Sequence, residues 1–285
     1  MRRGFLEPAY LWRHVVVWIA IVFALLPVMW VLSASFDPSN SIIGQGLIPH
    51  SPTLDHYRKL FTDGTHPFGV WMLNTLKVAT ITSAFVVLMT SLAAYSFSRF
   101  RFKGRRSGLF ALLLIQMFPQ MLAMVAIYLL LMWLGDRVSW LGLNTHGGLI
   151  MVYLGGAMGV NVWLVKGYFD TIPNSLEEAA FIDGATRFQV FWKVILPLAR
   201  PILVVIFFLQ FMGSYSEYIL ARVLLSSNET LTLAVGLQTF IGDQYAKRWG
   251  VFSAAAVLGA LPILILYASL QNQLVSGLTR GAVKE

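Results

Sequence analysis

Cysteine is absent from the 285-residue sequence, which excludes disulfides and thiolate metal sites and leaves the compartment open. Charge is scarce: Asp, Glu, Lys and Arg make up 12% of the residues, about half the share usual in a soluble domain. Histidine occurs five times, in no HExxH or His-x-Cys spacing, so no metal site is expected. No G-x-x-x-x-G-K-[ST] occurs, so the chain carries no P-loop. No apolar run holds a nucleophile beside a base, or two converging acids, so an intramembrane enzyme has no candidate centre. What fills the sequence is apolar, with 57% hydrophobic residues and a mean hydropathy of +0.70. That is the composition of a membrane protein. The net charge of +8 would suit nucleic acid, but the bases sit on loops and build no single face.

Six apolar stretches approach the ~20 residues that carry a helix across ~30 Å of hydrocarbon. They are Val15–Leu32, Leu73–Phe97, Leu109–Trp133, Gly148–Val165, Ile202–Leu220 and Phe252–Gln271. The fold class expected is all-α, with six transmembrane helices. The first stretch has a cleaved leader as its alternative, because Arg2 and Arg3 precede it and Ser33 and Ser35 are small enough for cleavage. Its length, and Glu7-Pro8 ahead of it, favour a retained span. With the N-terminus inside, segments 1–14, 98–108, 166–201 and 272–285 hold 14 Lys and Arg, against 6 in 33–70, 134–147 and 221–250. This excess of bases places the first set in the cytoplasm. The organisation expected is a cytoplasmic N-terminus (1–14), a membrane domain (15–272) and a cytoplasmic tail (273–285).

The segment Ser33–Val70 is the longest expected outside, and is too short to fold as a large domain of its own; a lid or docking surface is expected. Arg99-Phe-Arg101-Phe-Lys103-Gly-Arg105-Arg106 reads as a topology anchor with Phe100 and Phe102 at the headgroups, a specific lipid or nucleotide site being the alternative. Pro27, Pro119 and Pro262 lie inside spans and can kink them. Gly155-x-x-x-Gly159 reads as helix packing. Gln116, Gln120, Asn161, Gln210, Ser214 and Glu217 lie in or near spans, where an amide can bond a neighbouring helix or line a path. Gln210, Ser214 and Glu217 are spaced i, i+4, i+7 and share one helix face. Glu217 is the acid well inside a span, so this face is the expected lining of a translocation path. Tyr153, Trp163, Tyr215 and Tyr218 are either stacking platforms for a sugar ring or interfacial aromatics.

One mixed segment, Thr171–Pro197, lies between two spans on the side expected to be cytoplasmic. Ser175-Leu-Glu-Glu178 reads as a capping box, with Pro173 stiffening the approach. Gly184 is a left-handed stop, Thr186-x-x-Gln189 a second, weaker box, and Pro197 bars an unbroken helix into the next span. Two helices of about eight to ten residues are each too short to stand alone in water. Leu176, Ala179, Ala180 and Ile182 give the first an apolar side that needs a surface to dock on.

At these residues the sequence resembles a known family. Glu178-Ala179-Ala180, three residues, Gly184, nine residues and Val194-x-Leu196-Pro197 match the EAA loop of ABC importer permeases, departing only at Val194 where the family has Ile. The resemblance extends over nearly the whole chain to the second membrane subunit of maltose/maltodextrin-type, binding-protein-dependent importers. Gly142-Leu-Asn-Thr-His-Gly-Gly148, Tyr153-Leu-Gly-Gly156, Lys166-Gly-Tyr-Phe169, Leu231-Thr-Leu-Ala-Val-Gly236 and Gly277-Leu-Thr-x-Gly281 all look like that branch.

The resemblance implies a type I importer permease in the cell membrane, not itself an enzyme. It would move a sugar, maltose, trehalose or a related oligosaccharide, delivered by an extracytoplasmic binding protein. Its implied partners are a homologous permease, an ABC ATPase dimer carrying the ATP and Mg, and membrane lipid. Glu177, Glu178, Ala179, Ala180, Asp183, Gly184, Leu196 and Pro197 would form the coupling helix seated on the ATPase. Gly242, Asp243, Gln244 and Tyr245, at the tip of the last outer loop, would touch the binding protein, and Gly277–Glu285 the ATPase interface. In that branch sugar contacts fall mainly on the partner permease. The alternative is a self-sufficient secondary transporter or channel, which would want paired intramembrane charges.

Overall fold

The computed structural model describes residues 8–41, 46–242 and 247–282, with the side chains of 8–11, 120 and 276–282 outside that description. All regular structure is helical, and no strand occurs among the described residues. In chain order the helices are α1 (Pro8–Phe36), α2 (Asp55–Thr62), α3 (Phe68–Arg99), α4 (Arg105–Met117), α5 (Met124–Gly135), α6 (His146–Phe169), α7 (Asn174–Ile182), α8 (Arg187–Val190), α9 (Leu196–Leu198), α10 (Arg200–Ser216), α11 (Ile219–Leu224), α12 (Leu233–Thr239) and α13 (Trp249–Ala282). A 3-10 turn at Gln120–Ala123 precedes α5, and a π-helical stretch, Phe191–Ile195, joins α8 to α9.

Within α1, α3, α6 and α13 lie runs long and apolar enough to cross a bilayer. Two further crossings need bent pairs: α4 with α5, and the Arg187–Leu198 segment with α10, the latter turning by 76°. Counting each pair once gives six. The expected third span, Leu109–Trp133, is therefore not one helix. Pro119 has no N–H to donate and pushes the residue before it out of the α region; Phe118 sits at φ −72°, ψ 122° and α4 stops there. Pro27 and Pro262, by contrast, lie inside continuous helices. The fifth span starts at Arg200 and ends at Ser216, short of the expected Leu220.

The chain divides into two compact units, Met1–Gly69 with Gly236–Leu261, and Val70–Val235 with Pro262–Glu285. In the first, the expected outer segment is less of a free loop than its composition suggests. Helix α1 runs on to Phe36, and α2 packs His56 and Leu60 inward. Asn40 Oδ1 accepts from the Gly250 N–H at 2.9 Å, Arg248 donates to Asp63 Oδ2 at 2.8 Å, and the His66 and Phe240 rings stack at 5.0 Å. Asp63 is held below the usual carboxylate range, chiefly by the Thr65 hydroxyl and further by Arg248 and His66.

In the second unit, one core joins Val86, Ala94 and Tyr95 of α3, Val165 and Phe169 of α6, Val190, Phe191 and Ile195 of the mixed segment, and Val205 and Ile206 of α10. Elsewhere in this unit, two of the family-like phrases turn out to be clasps. Asn144, left-handed at φ 57°, accepts on Oδ1 from the backbone of Ser226 and Ser227 and the hydroxyl of Thr230. Asn74 Nδ2 donates to the carbonyls of Glu229 and Leu231, and Thr75 Oγ1 accepts from the Leu233 N–H.

Candidate functional site

The mixed segment folds as a helical hairpin. Its turn closes as expected: Gly184 lies at φ +86°, Ala185 N–H bonds Ala180 O at 2.9 Å, and Gly184 N–H bonds Phe181 O at 3.0 Å. This pair of bonds is the Schellman stop, which satisfies carbonyls the helix end would otherwise leave bare. The starts differ from expectation. Helix α7 begins at Asn174 with Pro173 as its N-cap and no side-chain cap. Ser175 therefore already has helical backbone and cannot cap. The box expected to be weaker is the one formed: Thr186 Oγ1 accepts from Gln189 N–H, and Gln189 Oε1 accepts from Thr186 N–H. Pro197 does not end the helix where it stands; the break comes at Ala199, between Pro197 and Pro201.

Glu177 and Glu178 point to different places. Glu177 is buried at 5% exposure, an ion pair with Arg99 of α3 and an acceptor from the Tyr95 hydroxyl at 3.2 Å. Glu177, expected among the residues of the coupling helix, thus turns its side chain inward and away from the exposed side of the hairpin. Arg99 also donates to Ile172 O at 3.0 Å and to Ser98 Oγ. Ser98 in turn donates to Asp170 Oδ1 at 2.6 Å, and Asp170 pairs with Lys166 of α6. Arg99, the first base of the expected topology anchor, also ties the ends of α3 and α6 to the first turn of α7. Arg187 of α8 adds a cation–π contact with Phe100 at 5.2 Å.

Glu178, Ala179, Asp183 and Gly184 are exposed, and Ala180 is partly buried against the core. Leu176, Phe181, Ile182, Phe188 and Trp192 stand exposed along the same hairpin, Ile182 at 86%. Leu196 packs on the core, and with Pro197 it lines an apolar cavity of 390 Å³. A cleft of 740 Å³ runs beside α7, lined by Arg101, Asp170, Asn174, Glu178 and Arg187 among others.

The six intramembrane polar residues do not form one set. Gln210, Ser214 and Glu217 do converge, on a cavity of 160 Å³ shared with Tyr153 and Gly156. Glu217, however, is not inside the helix. It follows the last residue of α10 in extended backbone (φ −68°, ψ 126°), and its carboxylate accepts from the N–H groups of Leu220 and Ala221 and from the Tyr153 hydroxyl at 2.6 Å. Capping α11 meets donors that would otherwise be orphaned. Gln116 is apart from that cavity: its Nε2 donates to Gly156 O at 2.8 Å and its Oε1 accepts from Val160 N–H at 2.9 Å. Asn161 donates to Ala157 O in its own helix. Gln120 opens a 3-10 turn, and its side chain lies outside the described residues.

Among the aromatics, Tyr215 is buried with its hydroxyl on Met72 Sδ, and Trp163 donates to Leu109 O. Gly242 donates to Gln238 O, while Asp243, Gln244 and Tyr245 lie outside the described residues. Sequence reasoning missed the inward pairing of Glu177 with Arg99 and the exposed Phe181, Phe188 and Trp192. The aromatics could have been found as apolar residues out of phase with the inward positions Val190, Phe191 and Ile195.

Residues 86–280 match the family described as binding-protein-dependent transport system inner membrane component. Among curated relatives, the chain is 46% identical over 282 residues to the maltose/maltodextrin transport system permease protein MalG of Vibrio vulnificus strain YJ016, covering 95% of this chain and 94% of that protein. It is 41% identical to MalG of Escherichia coli strain K12 over the same shares. A chain in the crystal structure of a bacterial ABC transporter involved in import of the acidic polysaccharide alginate superposes with a TM-score of 0.79 at 26% identity, covering 95% of this chain and 100% of that one. The sequence match, the helix set and the shared architecture agree: the chain belongs to the family of binding-protein-dependent transport system inner membrane components, multi-pass proteins of the inner membrane.

Proposed function

We propose that the chain is the second permease subunit of an ATP-driven importer for maltose-type oligosaccharides, and that its hairpin Thr171–Pro197 receives the stroke of a separate ATPase. One observation carries this reading. The hairpin offers an exposed apolar and acidic outer side, Leu176, Glu178, Ala179, Phe181, Ile182 and Phe188, while its inner side is bound to three spans. Large apolar side chains left open on a soluble face are each worth about 1.5–3 kcal/mol once buried, so a docking partner is physically called for. The excess of Lys and Arg puts that side in the cytoplasm, where an ATPase would be found. The names of the relatives support the sugar and the membrane role.

In this mechanism the hairpin moves as a piece, because the Schellman turn and the Thr186–Gln189 box fix its two halves. Motion passes to α6 and α10 through the chain itself and to α3 through Glu177–Arg99. ATP and Mg belong to the ATPase, in keeping with the missing P-loop, and no residue here is assigned a catalytic role. A binding protein loaded with sugar would favour the outward state by binding it more tightly than the inward one. Gln210, Ser214, Glu217 and Tyr153 would line part of the path, with Glu217 a fixed cap rather than a free charge. A homologous permease would complete the channel.

The test is reconstitution. The chain co-expressed with its neighbouring permease and ATPase should co-purify as a complex and take up sugar only with ATP and binding protein. Uptake by this chain alone in vesicles, driven by an ion gradient, would reject the reading.

A further inference from the structure

Beside the first turn of α4 lies a cavity of 490 Å³ lined by Phe102, Gly104, Arg105, Arg106, Leu109 and Lys166. Three of these side chains are cationic, two are apolar and none is acidic. Lys166 is offset by Asp170, but Arg105 and Arg106 enter no ion pair among the described residues. Arg105 is held rather than neutralised: its Nε donates to Phe97 O at 2.6 Å and its Nη2 to Ser98 O at 3.2 Å. Neutral carbonyls fix where the guanidinium sits and leave its charge in place. Arg106 is exposed, 5.9 Å from the Phe110 ring. Helix α4 starts at this point with no side-chain cap on Gly104, so the partial positive charge of a 13-residue helix adds to the two guanidiniums.

We propose that this cavity binds the phosphate of an anionic phospholipid. The charges provide a seat for one phosphodiester, and an uncapped helix start beside two arginines is chemistry that favours an oxyanion. The remaining lining selects the source. Phe102 and Leu109 offer nothing to a free phosphate ion, whereas a lipid places methylenes against them. The place in the fold agrees, because the cavity is where α4 begins and α6 ends. Both helices contribute to membrane spans, so it lies at headgroup depth, where basic pockets between spans engage acidic headgroups. This inference rests on α4 and α6 being part of membrane spans, and not on which solute the importer moves.

The competing idea is a diffuse attraction of the whole basic loop to an acidic surface. It predicts equal weight for Arg101 and Lys103, which are exposed in the same loop but do not line the cavity. The experiment uses the intact complex in mild detergent, titrated with phosphatidylglycerol or phosphatidylcholine and read by native mass spectrometry. Phosphatidylglycerol should bind at one site per copy of this chain and phosphatidylcholine far more weakly. Arg106→Gln alone should weaken phosphatidylglycerol several-fold, and with Lys166→Gln by roughly tenfold or more. Arg101→Gln with Lys103→Gln should leave that site within about twofold.

Equal losses from both pairs of substitutions, or no preference between the two lipids, would overturn the proposal. So would displacement of the lipid by millimolar inorganic phosphate, which would mark a free-phosphate site. Arg106 is exposed, so the single variant reports binding even if the double variant is unstable. Lipid retention by a complex that transports no sugar would defeat the transport reading and leave this one standing.

Discussion

Adjacent glutamates in one helix turn have different surroundings: both line the cleft beside the hairpin, but Glu178 is exposed while Glu177 is buried against Arg99 and Tyr95. Removing one member of a buried pair strands the other charge, at about 3–5 kcal/mol, whereas replacing both with apolar residues is often neutral. Glu177→Gln should therefore destabilise the complex and reduce the sugar moved per ATP. The Glu177→Leu/Arg99→Met double variant should recover thermal stability but not that ratio, if the pair is the tie that hands motion to α3. Thermal unfolding and the coupling ratio, measured on the same preparations, separate the two effects. Recovery of both by the double variant would reduce the pair to a packing element. None of this is legible locally, because Glu177 and Arg99 are 78 positions apart and only the fold brings them together.

At the scale of an element, the hairpin shows what short-range rules reach. Gly184 was readable because a left-handed stop disfavours residues that carry a Cβ, and its φ of +86° fits that reading. A Cβ there meets nothing within 4 Å, so the penalty for substitution is backbone conformation alone, about 1–2 kcal/mol for an ordinary residue. Sequence-specific uptake assays should thus rank Gly184→Asn nearest to wild type, Gly184→Ala lower and Gly184→Val lowest. A flat series would remove the turn from the mechanism. The capping boxes show where such rules fail. Ser175-x-x-Glu178 has the right letters, but the helix starts at Asn174 and leaves Ser175 in its first turn. Thr186→Ala should therefore cost about 1 kcal/mol and Ser175→Ala almost nothing, read as thermal stability of the complex.

For the whole molecule, length and hydropathy were enough to read the helical class and up to six crossings, and charge bias carries the orientation expected of them. They could not show that the third crossing is a bent pair, since a window of apolar residues averages over Pro119, or that the turn at Ala199 sets the hairpin off from the fifth span. Nor could they show that the segments before and after the spans knit together. The Asp63–Arg248 tie joins residues from opposite ends of the first unit, and it carries a pH signature. Asp63 is depressed below 3.8, so its contribution is complete above that value and is lost as pH falls through the lower folded value. The tie should hold throughout pH 5–8. The protection of the Gly250 N–H, taken relative to intrinsic exchange at each pH, should fall only in stronger acid, and Asp63→Asn should lower it at neutral pH. Protection that falls between pH 7 and 6 would instead point to a histidine.

The amide of Gln116 grips the carbonyl of Gly156 and the N–H of Val160, both belonging to one rung of α6, from a neighbouring helix. Gly159 makes room for it: a methyl there would lie 2.5 Å from Leu112 O and 2.7 Å from Gln116 Cδ, whereas Gly155 has open space. Sliding α4 past α6 by even half a turn would bare an amide in hydrocarbon with no water to receive it. These two rods are thereby keyed, and a gate in this permease is expected along a different seam.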